Sequence, residues 1–195
     1  MLKRREQLVE FRQKERQRWR RYQDEASKGS LERTMAFLSE EIKRVEQVLR
    51  EALEAWEEEE PDIRETLIIL ESVPGVGWLT ALALLVWLPE LGSLTRRQVA
   101  ALTGTAPMAN DSGQRRGRRR VREGRKRVRR YLYLSALSAV RHAAPLREFY
   151  RRLQAANKPK HVALVAVMRR LIVILNAMVR TGRTWEPQMA MPRVS

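Results

Sequence analysis

The sequence predicts an all-α protein: an antiparallel helical hairpin or coiled coil, then a helical domain containing a helix-hairpin-helix. Three observations carry this. Glycine and proline are sparse, 9 and 8 among 195 residues, against abundant Leu, Ala, Glu and Arg, a balance that favours helix. Leu31, Met35, Leu38, Ile42, Val45, Leu49, Ala52 and Trp56 alternate spacings of four and three, the heptad seam of a helix lying along another. Downstream, two strongly apolar stretches at 78–88 and 161–180 are long enough for buried helices.

Taken in order, residues 1–26 read as one amphipathic helix carrying Leu2, Leu8, Phe11, Trp19 and Tyr22 among Arg, Gln and Glu. Residues 27–30 (Ser-Lys-Gly-Ser) read as the turn, with Ser30 as N-cap of the heptad helix. So short a turn implies an antiparallel hairpin, which as a coiled coil would also form a homo-oligomer. A plain amphipathic helix on a globular core fits the same spacing. The acidic run 57–60 and Pro61 end it. The expected division is 1–60 as hairpin, 61–180 as the second domain, and 181–195 as a mobile tail.

In the second domain Ile63, Leu67, Ile68, Leu70 and Val73 form a helical face that stops at Pro74-Gly75-Val76-Gly77, and an apolar helix follows. That is the helix-hairpin-helix pattern. Gly75 and Gly77 allow a tight turn and free backbone N–H groups at the next helix start, where a phosphate docks. A tight turn with no ligand has the same sequence. Thr95 caps a short helix to Leu102, Gly104 stops it, and 105–113 reads as a loop. A helix at 131–140 packs Ser135 and Ser138. Pro145 opens another to about Ala155, and Pro159 starts the last, in which Arg169, Asn176 and Arg180 share a face. Arg169 and Arg170 at the centre of that helix would be costly in a bilayer. We therefore expect a core helix and no membrane.

The net charge is +16 and the pI near 11.2, which points to nucleic acid. The charge is concentrated. Arg115, Arg116, Arg118, Arg119, Arg120, Arg122, Arg125, Lys126, Arg127, Arg129 and Arg130 face a single acid, Glu123, within one run. Burying any of these cations unpaired would cost several kcal/mol or more, so the run faces water or a polyanion. No aromatic interrupts it, so it suits phosphate contact rather than base reading. Tyr131 and Tyr133 fit either base stacking or a core. Ser112, between Asp111 and Gly113, sets a hydroxyl at the leading edge of this surface. From the residues alone it reads as a turn residue rather than a nucleophile, since a serine hydroxyl attacks only with a base or metal and the arginines supply neither. The chain has no Cys, so no disulfide or thiolate metal site. His142 and His161 do not make a zinc centre by themselves. A charged N-terminus lacks a signal-peptide pattern, and the expected location is cytoplasmic.

Several blocks in order resemble bridge-RNA-guided insertion-sequence transposases, the IS-one-ten family. They are Ser-Val-Pro-Gly-Val-Gly at 72–77, Leu-Pro-Glu-Leu-Gly at 88–92, Gly-Thr-Ala-Pro at 104–107 and Ser112-Gly113. Residues 117–133, Lys-Pro-Lys at 158–160 and 162–169 follow. Thr105 stands where the family pattern has Leu. The resemblance implies a DNA transposase or recombinase with Ser112 as the nucleophile, DNA and a guide RNA as partners, a coiled-coil oligomer, and a bacterial, nucleoid-associated setting. It further implies an N-terminal RuvC-like domain whose four acids bind metal. No such segment is seen here, so magnesium is expected only together with that domain, and this chain alone is expected to be inactive. Two other classes fit the residues: a non-catalytic helix-hairpin-helix nucleic-acid-binding protein, and a coiled-coil assembly protein charged for solubility.

Overall fold

The computed structural model describes residues 1–106 and 124–190 in full and, between them, the backbone of 108–112 and 115–120. The chain divides into two compact units, Met1–Pro61 and Asp62–Ser195.

The first unit is a helical hairpin of α1 (Leu2–Trp19) and α2 (Glu25–Glu59). Their antiparallel register is written in three polar contacts. Arg5 Nε donates to Glu46 at 2.6 Å, Arg12 to Ser39 at 3.2 Å and Trp19 Nε1 to Glu32 at 3.0 Å. Each step of one heptad along α1 is a step of one heptad back along α2. Leu38, Ile42, Val45 and Leu49 are buried in the seam, as the spacing predicts. One turn on, Leu53 is buried in place of Ala52, because a straight helix drifts about 20° per heptad against a strict seven-residue repeat.

The turn lies earlier than the sequence suggests. α1 ends at Trp19, and the cap of α2 is Asp24, whose side chain accepts from the Ser27 N–H at 2.7 Å. That bond lowers the Asp24 pKa and satisfies one of the free donors of the first turn. Ser27 to Ser30 therefore lie inside the helix.

The second unit consists of α3 (Pro61–Glu71), α4 (Trp78–Trp87), α5 (Arg96–Leu102), α6 (Lys126–His142), α7 (Ala144–Ala155) and α8 (Lys160–Thr181). α8 is the centre, with α5, α6 and α7 packed on it and α4 reaching it through α6. Leu132, Leu146, Leu171, Ile172 and Leu175 are fully enclosed there, each contributing about 1.5–3 kcal/mol of apolar burial. By length and composition α8 is apolar enough to cross a membrane, yet most of that window is buried within this unit. On α3 the inward residues are Leu67, Ile69 and Leu70, while Ile68 is exposed, since 3.6-residue periodicity turns position 68 to the side opposite the face that 67, 69 and 70 set together. Thr95 and Gln98 form a reciprocal capping box at the start of α5.

Two further differences concern the stretches expected to be irregular. β1 (Met108–Ser112) and β2 (Arg115–Arg120) pair antiparallel where the sequence predicts loop and solvated arm. Beyond α8 the chain is folded through Ala190, where a mobile tail is expected. The Trp185 N–H donates to Ser72 Oγ at 2.8 Å, and a short 3₁₀ turn (Pro187–Ala190) buries Ala190. Residues 191–195 of that tail lie outside the described residues.

Asn176 is not part of a basic face. It is buried on α8, accepting from the Gly92 N–H at 2.9 Å and donating to Leu94 O at 2.8 Å, which staples the loop after α4 to the core. Replacing it with Leu leaves both backbone groups unpaired, at a cost on the order of 1–3 kcal/mol. Urea unfolding monitored by tryptophan fluorescence should show this loss; an unchanged midpoint would contradict the staple.

Candidate nucleic-acid interface

The turn between α3 and α4 brings its two glycines to different surroundings. Gly75 has φ +103, and a Cβ there would sit 2.5 Å from the Ala139 nitrogen. Its lack of side chain is what lets the turn rest on the backbone of α6. Gly77 is exposed, caps α4, and has nothing within 4 Å of where a Cβ would be. Of the pair, Gly77 alone faces outward at a helix start. Thr80 and Ser135 share a buried hydrogen bond of 3.0 Å between α4 and α6, so Ser135 has a packing role.

The basic run divides into three parts. Arg115, Arg116, Arg118, Arg119 and Arg120 fall on β2, and their side chains lie outside the described residues, as does Arg122 entirely. Ser112 ends β1, in backbone register with Arg115, and Asp111 is in register with Arg116. The Ser112 side chain is likewise outside the described residues.

The foot of this hairpin is described in full. Gly124, φ +112, lies against Gly104 so closely that any side chain would strike the Gly104 backbone. The Arg125 N–H donates to Leu102 O at 2.7 Å. Arg125 then reaches back to the end of α4, donating to both Glu90 oxygens at 2.7 and 2.6 Å and to Trp87 O at 2.8 Å. This corrects the expectation that Arg125 is a free phosphate ligand. Its guanidinium is occupied within the domain, and it ties the start of α6 to the end of α4. Arg129 is half-buried near Gly104 O, at 3.5 Å. Lys126, Arg127 and Arg130 are exposed, with Arg127 over the Trp87 ring at 5.5 Å. Tyr131 is buried and packs on Trp87 at 5.5 Å between centroids, which makes it core, whereas Tyr133 is exposed.

The hydrogen bonds from Arg125 lower the Glu90 pKa from the ordinary 4.5 to about 2. A depressed carboxylate contributes stability above its unfolded value and loses it as pH falls through the folded one. Thus the thermal midpoint of wild type should exceed that of Glu90→Gln at pH 5 and above. The gap should close as pH falls from 4.5 through about 2. A gap that is constant with pH would show that Glu90 is not charged in the clamp.

Comparison with known proteins places this hairpin and its foot inside a recognised unit. Residues 68–151 match the model of the transposase IS116/IS110/IS902 family. The matched segment lies wholly within the second unit and contains Gly75, Gly77, Ser112 and the whole basic run. The chain is 34% identical over 123 residues to the insertion element IS110 uncharacterized 43.6 kDa protein of Streptomyces coelicolor, covering 62% of this chain and 30% of that protein. It is 31% identical over 134 residues to the insertion element IS116 uncharacterized 44.8 kDa protein of Streptomyces clavuligerus, covering 65% and 34%. It is 27% identical over 134 residues to the pilin gene-inverting protein of Moraxella bovis, covering 66% and 41%. The chain therefore spans about a third of the length of the first two relatives.

Sequence reasoning missed the Glu90–Arg125 clamp. Its only signal was an acid in the loop after α4, 35 residues from its partner.

Proposed function

We propose that this chain acts in DNA transposition or recombination: the arginine-rich hairpin binds the DNA backbone and Ser112 attacks a phosphodiester. The observation that carries the reading is the register of Ser112 with Arg115 at the end of a hairpin held at its foot, within the segment that matches the transposase family. Insertion-element proteins and a gene-inverting protein among the relatives support DNA as the substrate. In the same proposal the protein works at the bacterial nucleoid. A guide RNA and a coiled-coil dimer belong to the same proposal.

In this reaction Ser112 Oγ bonds to phosphorus and the bond from phosphorus to a deoxyribose oxygen breaks. The serine proton passes to a base, the departing oxygen takes up a proton, and DNA is held as a phosphoserine ester. Attack by another strand's hydroxyl reverses the step and frees the serine. The arginines of β2 neutralise charge on the phosphoryl oxygens. Among the described residues no three His, Cys, Asp or Glu side chains cluster to hold a divalent ion. In this proposal the chain's own part is to position the phosphate and neutralise its charge. Activation of the hydroxyl falls, in this proposal, to the acidic RuvC-like domain and its magnesium.

The binding half is tested by salt. Each phosphate neutralised steepens the dependence of log affinity on log salt by about 0.9 on duplex DNA. Replacing Arg118, Arg119 and Arg120 with Ala should make the slope shallower by roughly two to three and weaken duplex binding at every salt concentration. Unchanged slope and affinity would remove the hairpin as the phosphate-binding surface.

A further inference from the structure

Away from the hairpin, the α5–α8 face of the same unit carries a second concentration of arginine. Arg96 and Arg97 open α5, Arg169 and Arg170 sit mid-way along α8, and Arg183 follows α8. They border a groove of about 580 Å³ that continues, through Arg96, Arg170 and Val173, into one of about 400 Å³. No acid lines either part, and the described residues give none of these five arginines a carboxylate partner. The floor is of a different kind: Ala166, Val173, Ile174, Ala177 and Met178. At one end Phe149 lies against two guanidinium groups, Arg170 at 4.5 Å and Arg152 at 5.5 Å from its ring. Burial, and then the charge of Arg152, lower the Arg170 pKa, as expected of a cation held without its counter-ion.

A cationic rim over an apolar floor is the wrong surface for a duplex, which presents phosphates and sugar edges but no base faces. It is the right one for a single strand, whose phosphates meet the rim while unstacked bases cover apolar and aromatic side chains. The neutral polar groups of the lining are few. Thr181 turns its hydroxyl onto the Ala177 carbonyl at 2.9 Å, which leaves Gln188 as the other neutral polar side chain of the lining. We propose that the α5–α8 groove holds a single DNA strand, with Arg96, Arg169 and Arg170 on its phosphates and its bases over Val173 and Ala177. The choice of DNA rests on reading the chain as a recombinase, which must hold a strand once duplexes are opened.

The test uses the full chain, a fluorescein-labelled oligo(dT) of about 12 nucleotides, a matched oligo(rU), and a duplex. Arg96→Glu with Arg169→Glu changes two exposed charges. Val173→Trp fills the floor without changing charge, and circular dichroism checks that both variants are folded. Both should weaken oligo(dT) binding by about tenfold or more and leave duplex binding within about twofold, since the duplex uses the hairpin. Unchanged oligo(dT) affinity in both variants overturns the proposal. So does parallel loss of duplex binding, groove-dependent preference for oligo(rU), or displacement of oligo(dT) by polyglutamate at equal charge. If wild type binds no nucleic acid, the functional reading fails with it. If duplex binding and Ser112 chemistry persist while the groove variants bind oligo(dT) normally, the groove proposal alone fails.

Discussion

Replacing Leu38 and Leu49 together with Asp should unfold the α1–α2 hairpin and abolish any oligomer formed through it. Both leucines are buried in the seam, at 8% and 7% exposure. Each substitution removes an apolar side chain, worth about 2–5 kcal/mol in such a site, and adds a carboxylate with no partner there. The hairpin has little to offset this. Its buried apolar set is Leu2, Leu8, Leu38, Ile42, Val45, Leu49 and Leu53, a small core for a unit of this size. The outer faces keep Phe37 at 62% and Val48 at 43% exposure, apolar surface that a second copy would cover in the proposed dimer. Far-UV circular dichroism should show a large loss of helix in the double variant, and sedimentation should show monomer. Full helicity in the variant would contradict the seam. A wild-type chain that sediments as a monomer at high concentration would remove the dimer from the proposal.

The helices were legible because their signals are local. The four-three spacing of Leu38 to Leu49, the Thr95 cap of α5, and Pro159 before α8 each depend on residues within a turn or two. The start of α2 was not, because Asp24, Ser27 and Ser30 are all good caps and only the packed register selects among them. The strand pair was hidden for a different reason. Strand signals rest on β-branched and aromatic alternation, and Arg115–Arg120 has neither. Composition told where the charge is, but not which charges are already used. Arg125 looks identical to its neighbours in sequence, and only the fold brings it to Glu90. The arginines of the α5–α8 groove were invisible as a set, since Arg96, Arg170 and Arg183 come from separated parts of the chain.

Bond formation between Ser112 and DNA, as proposed, is read out by covalent attachment of DNA to the protein. The chain is incubated with a RuvC-like acidic domain, guide RNA, target DNA and magnesium, and denatured protein is then examined for covalently attached DNA. A neutral hydroxyl is barely nucleophilic by itself, and metal-assisted transfer provides the activation that arginine does not. We expect an adduct that maps to Ser112, requires the added domain, and disappears in Ser112→Ala while DNA binding remains. An adduct that survives Ser112→Ala, or one that maps to Ser135 or Ser138, would contradict it.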